Sequence, residues 1–212
     1  MAIQHVGFKQ RGGSLIEFMI ASLLGLIALG IVGSVFISGK KTAAERGKEL
    51  LLLQNMTSVM QQMKEDMQRA GFNGVSAGSV TLSGASYAVY TQTSPDMLGF
   101  IYRTMSSGMS TYRSTVYRYQ PASSGANLLK ICEKYQSSPL TPASAAVSGP
   151  GGVCFNLFDE NQITVDRFTV STIHTTSNST SSAFTVISMG ASLLHDPNVR
   201  HTMVVKSQQR NW

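Results

Sequence analysis

Charged residues are scarce in this sequence: they make up 13% of its 212 residues, about half the usual share. Ser, Thr and Gly take their place, as is common on secreted β-rich surfaces. The formal net charge is +6, but beyond Gly71 there are nine Lys and Arg against six Asp and Glu, with no block of like charge. A mildly basic, solvated surface is therefore favoured over a nucleic-acid-binding one. Nucleic acid as a partner has no support in the sequence.

Catalytic and metal-binding motifs are also lacking. There is no Cys-x-x-Cys pair, and the three histidines of the C-terminal half do not have the spacing of metal ligands. Residues 74–78 match a hydrolase nucleophile pattern, but they follow a predicted helix instead of joining a strand to a helix. Asp159, Glu160 and Asp166 are not spaced like the ligands of a calcium loop, so a solvated turn is favoured. We therefore expect no enzyme, no cofactor and no metal site.

One long hydrophobic segment is present. From Phe18 to Gly39, 22 residues carry no charge. The segment is long enough to span a membrane. It is too long for the apolar part of a secretory signal peptide, and no clear Ala-x-Ala cleavage site follows it. Cations lie on both sides, so charge alone does not orient it. Glu17 stands directly before the segment, and an ionisable group in an apolar helix should have a partner because its desolvation is costly.

The residues around that acid, Gly12-Gly13-Ser14-Leu15-Ile16-Glu17, resemble the type III signal of type IV pilins and type II secretion pseudopilins. The resemblance implies that residues 1–12 are a leader, which a prepilin peptidase removes by cutting between Gly12 and Gly13. It also implies methylation of the new amine of Gly13, with Glu17 at mature position five. Gly13 departs from the pattern, since the family usually has Phe or Met there. A cut after Gly13, which would put Glu17 at position four, is the alternative register.

The resemblance also gives Glu17 a partner. In a helix bundle without water, its carboxylate would pair with the N-terminal amine of a neighbouring subunit and fix the axial register. The alternative is an acid at the headgroup interface beside Arg11, satisfied by water. The implied partners are other minor and major pilin subunits, prepilin peptidase and the inner-membrane assembly platform. The chain would first cross the inner membrane once, with a cytoplasmic N-terminus and a periplasmic head, and would later lie in a pilus at the cell surface.

A helical pattern continues beyond the apolar segment. Residues at helical spacing mark one apolar face: Leu52, Met56, Val59, Met60, Met63, Met67 and Ala70. Gly71 is a natural stop for the helix. We expect residues 13–41 to form the transmembrane and assembly half of one long helix. Residues 42–71 would form an amphipathic half that packs on a globular β-rich head, residues 72–212.

Short β-type runs separated by Ser, Gly and Pro turns follow Gly71. The strongest strand candidates are residues 163–173, 183–189 and 200–208. The polar interval 175–182 predicts a hairpin tip or mobile loop, and the Pro-, Ala-, Ser- and Gly-rich residues 137–152 predict a loop. The expected fold is α+β, a pilin-like lollipop with one long N-terminal α-helix, half of it transmembrane, packed on a globular antiparallel β-sheet head. In an exported chain, Cys132 and Cys154 predict one disulfide, the alternative being two separate buried thiols.

The end of the predicted helix resembles one subgroup of these proteins. Residues 63–72, M-K-E-D-M-Q-R-A-G-F, resemble the helix end of minor pilins of the PilW, PulJ and PpdB kind, and residues 199–205 resemble their last strand. This implies a structural minor pilin of a type IV pilus, in the tip or initiation complex that primes assembly. A J-type pseudopilin of a type II secretion system is the alternative. A membrane-anchored periplasmic binding or catalytic domain is a third, less favoured interpretation.

Overall fold

The computed structural model describes residues 13–74, 78–106, 109–177 and 180–210. Its elements in chain order are α1 (Leu15–Met67), β1 (Val89–Thr93), β2 (Asp96–Ser106), β3 (Met109–Gln120), β4 (Leu128–Gln136), α2 (Pro142–Ala145), β5 (Gly152–Asn156), β6 (Ile163–Ser177), β7 (Thr180–Leu193) and β8 (Asp196–Gln208). The predicted α+β class, with a long N-terminal helix and an antiparallel β head, is confirmed. The head differs from the prediction in having two sheets, ordered β1-β2-β3-β4-β5 and β6-β7-β8.

The chain divides into two compact units, one ending at Gly47 and one beginning at Lys48. In the first unit, α1 holds a segment long and apolar enough to cross a membrane, and no part of that segment is buried. Large side chains such as Phe18, Leu29 and Phe36 are exposed there. An exposed helix that is apolar on all sides suits a bilayer or a bundle of similar helices, and not water.

In the second unit, α1 is amphipathic. The seven residues of the predicted apolar face, from Leu52 to Ala70, are all buried. The regular helix ends at Met67, earlier than the predicted end, and the Ala70 N–H donates to the Met67 C=O at 3.1 Å, a tighter 3₁₀-type turn. Gly71 then adopts a φ of 78°. This left-handed conformation favours glycine and turns the chain out of the helix.

The hydrophobic core lies between this part of α1 and the two sheets. The five-stranded sheet contributes fully buried side chains from β2, β3 and β4: Leu98, Phe100, Tyr117, Leu129 and Ile131. The three-stranded sheet adds Val165, Phe168, Ile187, Met189 and Ala191 to the same cluster. Burying one such side chain stabilises the fold by roughly 1.5–3 kcal/mol. A smaller cluster covers the opposite face of the five-stranded sheet, with Leu82, Ile101, Val116, Cys132 and Ala145 among its members.

The strands agree with most of the predicted pattern. The three strongest candidates correspond to β6, β7 and β8, each longer than predicted. The interval 175–182, predicted as a hairpin tip or mobile loop, is mostly strand, because β6 reaches Ser177 and β7 starts at Thr180. Residues 137–152, predicted as a loop, include α2, which the side chain of Thr141 caps. The short strand β5 was not predicted.

Candidate assembly site

The first turn of α1 holds the acid of the predicted signal. Glu17 Oε2 accepts a hydrogen bond from the Ser14 N–H at 3.0 Å, and Ser14 Oγ accepts one from the Ile16 N–H at 3.4 Å. Ser followed three residues later by Glu is a capping box, which satisfies N–H groups that have no partner inside the helix. Glu17 thus stabilises the start of its own helix. We did not predict this role, although the Ser-x-x-Glu pattern is visible in the sequence.

Gly13 lies beside this carboxylate, whereas Gly12 lies outside the described residues. A Cβ added at Gly13 would be 3.7 Å from Glu17 Oε2, an ordinary van der Waals contact. Within the described residues, no atom near Gly13 therefore requires a glycine there. The same closeness means that a cut between Gly12 and Gly13 would leave a cationic amine next to the carboxylate of its own chain. The cut, the methylation and the pairing with a neighbour stay predictions.

The exposed helix of the first unit carries a shallow groove of mostly small side chains. Its lining is Ser34, Val35, Ser38, Gly39, Thr42, Ala43 and Arg46. The Ser34 hydroxyl donates to the Ile31 C=O at 2.8 Å, so this polar group has a partner within its own helix. Small residues let helices approach closely in apolar surroundings. This surface therefore suits packing against another apolar helix.

A buried polar pair fixes the head end of α1. The Tyr117 hydroxyl of β3 donates to Asp66 Oδ2 at 2.9 Å, where Tyr117 is fully buried and Asp66 is 7% exposed. Arg69 Nη1 lies 3.6 Å from Asp66 Oδ1. Burial raises the pKa of Tyr117 far above its usual value, and the neighbouring Asp66 carboxylate raises it further. The phenol therefore keeps its proton and donates throughout the neutral pH range.

Backbone hydrogen bonds attach the chain after α1 to β2. The Gly71 N–H donates to the Ile101 C=O at 2.9 Å, and the Arg103 N–H donates to the Phe72 C=O at 2.7 Å. Residues 63–72 therefore supply buried methionines, an acid for Tyr117 and a glycine that turns the chain onto the sheet. These contacts give a physical reason for the helix-end pattern seen in the sequence.

Comparison with known families identifies the family of this chain. The family model described as Prepilin peptidase-dependent protein B matches residues 45–208, which is most of the chain. The chain belongs to the prepilin peptidase-dependent protein B family. The predicted resemblance to pilin-related minor pilins of this kind is confirmed. Searches of curated proteins and of solved structures found no significant match.

The family match and the predicted signal occupy different parts of the chain. The match begins at residue 45, in the amphipathic part of α1, whereas Glu17 and its neighbours lie at the start of that helix. The resemblance at residues 12–17 is therefore an observation separate from membership of the prepilin peptidase-dependent protein B family.

A second polar cluster lies on the helix-facing side of the five-stranded sheet. Arg113 of β3 forms an ion pair with Glu133 of β4, and its guanidinium lies 5.8 Å and 5.7 Å from the ring centres of Tyr102 and Tyr135. Burial alone would lower the pKa of Arg113, but the hydrogen bond to Glu133 and the two tyrosines outweigh it and raise the pKa above its usual value. The cluster ties β2, β3 and β4 together. Nothing in the sequence predicted it.

The head also contains a disulfide between Cys132 and Cys154, with the two Cα atoms 4.0 Å apart. These cysteines face each other across β4 and β5. The bridge therefore attaches β5 covalently to the sheet and closes the loop that contains α2. Cys132 is 1% exposed, so the bond packs within the smaller core cluster.

The carboxylates considered for a metal site have separate protein partners. Asp159 accepts hydrogen bonds from the Asn161 N–H at 2.9 Å and from the Gln162 side chain; the Asn161 N–H holds the pKa of this carboxyl below its usual value. Glu160 and Asp166 bond instead to Asn156 and Ser192. Within the described residues, no group of three His, Cys, Asp or Glu side chains could hold a metal ion. Ser76 of the hydrolase-like pattern lies outside the described residues.

Proposed function

We propose that this protein is a structural minor pilin that joins a type IV pilus, in the tip or initiation complex that primes assembly. The observation that carries the proposal is the position of Glu17. This single acid lies at the start of an exposed apolar segment, on a helix that continues into a head of the prepilin peptidase-dependent protein B family. A membrane-anchored binding or catalytic domain would need the apolar segment but not the acid at its start.

The proposed assembly step begins with processing. Prepilin peptidase removes residues 1–12 and methylates the amine of Gly13, which is then cationic at neutral pH. Residues 13–41 act as a membrane anchor before assembly and as part of the fibre core afterwards, residues 42–71 carry the head, and residues 72–212 form the head. The Glu17 carboxylate accepts a hydrogen bond from the N-terminal amine of a neighbouring pilin subunit. In apolar surroundings this charge-assisted hydrogen bond is strong and sets the axial position of the new subunit.

One carboxylate can both cap its own helix and bind a neighbour. The two oxygens of an ionised Glu provide about four acceptor sites, and the Ser14 N–H uses one of them. The cap therefore keeps the carboxylate hydrogen-bonded and favourably placed at the positive helix N-terminus before a partner arrives. Glu17 therefore has a hydrogen-bond donor before assembly, which reduces the desolvation cost of placing an acid beside the apolar segment.

The proposed location follows from the anchor and the disulfide. The N-terminus would be cytoplasmic, where the peptidase cuts, and the head periplasmic, where Cys132 and Cys154 can be oxidised. The partners are other minor and major pilins, the peptidase and the inner-membrane assembly platform. The proposed role is mechanical and non-enzymatic. A J-type pseudopilin of a type II secretion system is the second candidate, since the helix-end segment 63–72 resembles both groups.

The decisive test reads the mature N-terminus by mass spectrometry in strains with and without prepilin peptidase. We expect a chain starting at methylated Gly13 in the first strain and an uncut chain in the second. A cut between Gly12 and Gly13 without the peptidase would refute the proposal. Deleting either the pilus or the secretion machinery then shows which fibre the cut chain enters.

The assembly role of Glu17 is tested by separating charge from capping. Glu17→Gln keeps an oxygen that can accept from the Ser14 N–H but removes the charge. We expect normal membrane insertion, largely intact cleavage and strongly reduced incorporation into fibres. Ser14→Ala is the matched control, because it removes the Ser14 Oγ that accepts from the Ile16 N–H but keeps the charge and the bond between Glu17 and the N–H of residue 14; we expect it to assemble. Wild-type incorporation of Glu17→Gln would contradict the pairing role.

A further inference from the structure

The two sheets of the head have four outer edges, and these edges differ in how they are covered. Strand β6 contacts β1, β2 and β4 of the five-stranded sheet, so this edge strand is packed against the other sheet. Strands β5 and β8 are two further edges. An uncovered strand edge is a template for another strand, and proteins usually protect it.

The β5 edge is closed by the chain just before it. Gly149 and Gly152 exchange backbone hydrogen bonds at 3.0 and 3.1 Å. The outward N–H of Cys154 donates to Ser148 Oγ at 2.9 Å. The strand is also only five residues long. These contacts use three of the six outward backbone groups of this short strand, the N–H and C=O of residues 152, 154 and 156, so β5 is a poor site for strand addition.

The β8 edge is open. The Gln209 N–H donates to the Ala183 C=O at 2.8 Å, and this bond fixes the alternation of the β7–β8 pairing. Residues 201, 203, 205 and 207 direct their backbone groups to β7, whereas residues 200, 202, 204, 206 and 208 direct theirs outward. Within the described residues, no strand pairs with that side of β8. Regular pairing runs over the nine residues 200–208, because the register shifts between Arg200 and Asp196; at about 3.3 Å per residue this is roughly 30 Å of edge.

The side chains along this edge indicate what would bind there. Val204 lies near the middle of the edge and is 59% exposed. Arg200 and Lys206 lie on either side of it, and both are exposed. In the described part of the chain, neither cation has a carboxylate within ion-pair distance. Cations on an edge discourage pairing with a similar edge, but they attract a strand that carries acids.

A second copy of this chain fits the edge poorly. The Lys48–Asp196 ion pair and the contact of Thr57 with Met203 show that β8 runs alongside the head part of α1 in the same direction. Antiparallel pairing of two β8 strands would therefore set the two helices in opposite directions, which a shared membrane or fibre forbids. Parallel pairing in register would place Arg200 and Lys206 opposite their own copies. The β5 edge of a second copy is closed, as described above.

We propose that β8 accepts an extended strand from a different pilin-type subunit, with an apolar side chain beside Val204 and carboxylates facing Arg200 and Lys206. This inference rests on the proposed function. Backbone hydrogen bonds along the edge supply the binding, and the two cations select an acidic partner strand. The cations and the open edge of β8 thus favour one kind of neighbour, a subunit that offers an acidic strand.

Proline substitutions test the edge directly. Val204→Pro removes an N–H that points outward, whereas Val205→Pro removes one that bonds to β7. Proline is tolerated at the first kind of position and not at the second. We expect Val204→Pro to keep the wild-type melting temperature and to reduce incorporation into fibres roughly tenfold or more, whereas Val205→Pro melts at a lower temperature. Wild-type incorporation of folded Val204→Pro would overturn the proposal.

Residue-resolved amide hydrogen exchange on the full-length wild-type chain gives a second readout that needs no variant. We expect the amides of Thr202, Val204 and Lys206 to exchange fast in the purified chain and slowly in the fibre. Fast exchange in the fibre, or slow exchange in the concentrated purified chain alone, would overturn the proposal; the second result would mean a second copy. Leader cleavage is read in the same samples. Peptidase-independent cleavage counts against the proposed function, whereas normal cleavage with an unprotected edge counts only against the strand partner.

Discussion

The bond between Tyr117 and Asp66 is the most informative single interaction to remove. Tyr117→Phe deletes one buried hydroxyl and keeps the ring, so it leaves no large cavity. The Asp66 carboxylate, 7% exposed, then retains only the longer contact with Arg69 at 3.6 Å among its described partners. Hydrogen bonds to charged groups contribute about 1.5–3 kcal/mol. We therefore expect the free energy of unfolding to fall by about 2 kcal/mol.

The assay is thermal and urea unfolding of the purified full-length protein in a nonionic detergent, followed by circular dichroism of the sheets. A loss of this size in a unit of this length lowers the melting temperature by roughly 4–8 °C. Tyr119→Phe is the matched control, since Tyr119 is a partly buried tyrosine on the same face of β3. We expect it to change stability by less than about 0.5 kcal/mol. Equal stability of Tyr117→Phe and the wild type would refute the reasoning.

Alkaline pH provides a second arm of the same test. The pKa of Tyr117 is raised by burial and then by Asp66, so its folded pKa lies above its unfolded value of about 10. Stability from a raised pKa is fully present below the unfolded value and is lost as the pH rises towards the folded value. Wild-type stability should therefore fall by about 1.4 kcal/mol between pH 8 and 11 through this group alone. Tyr117→Phe lacks this loss. The difference in free energy of unfolding between the two proteins should therefore narrow to well under 1 kcal/mol at pH 11. A difference that does not change with pH would contradict the raised pKa of Tyr117.

Two further predictions concern β5. Gly152→Ala would place a Cβ 1.8 Å from the Glu133 carbonyl oxygen, so we expect a loss of about 3 kcal/mol or more in the free energy of unfolding. Gly78→Ala is the control: among the described residues no atom lies within 4 Å of the added Cβ, so it should unfold like the wild type. The Cys132–Cys154 bridge spans 22 residues, so the double variant Cys132→Ala, Cys154→Ala should lose about 3 kcal/mol in the chain-entropy model. A reductant should bring the wild type down to the melting temperature of that variant and leave the variant itself unchanged; no effect on the wild type would contradict a stabilising bridge.

Local patterns in the sequence predicted the elements of the fold well. The apolar face of α1 repeats every three or four residues from Leu52 to Ala70, and such a repeat has only one regular explanation. Strands β6, β7 and β8 alternate over long stretches, which makes them recognisable. Their exact ends were not predictable, because backbone pairing carries β6 and β7 into the polar residues 174–182. Strand β5 has only five residues, too few for a clear pattern.

The partners within the head depend on contacts between distant parts of the chain. Asp66 and Tyr117 are 51 residues apart, and no local rule pairs them. The same holds for Arg113 with its two tyrosines and for the split into two sheets, since the register of each strand is set by tertiary packing. The family-like segment 63–72 was visible as a pattern, but its physical meaning needed the structure. Asp66 accepts the hydrogen bond from Tyr117, and Gly71 allows the chain to turn onto β2.

Glu17 has a partner that the sequence analysis did not consider. The sequence alone suggested an acid that needs a partner on another subunit. The structure gives it one within its own first turn, the Ser14 N–H at 3.0 Å. An acid bonded in this way loses less on entering an apolar bundle, because part of its hydration is already replaced. The cap therefore lowers the cost of holding the charge where assembly would use it. A substitution that removes charge and cap together, such as Glu17→Ala, mixes the two effects, and its comparison with Glu17→Gln, which keeps an acceptor for the Ser14 N–H, separates them.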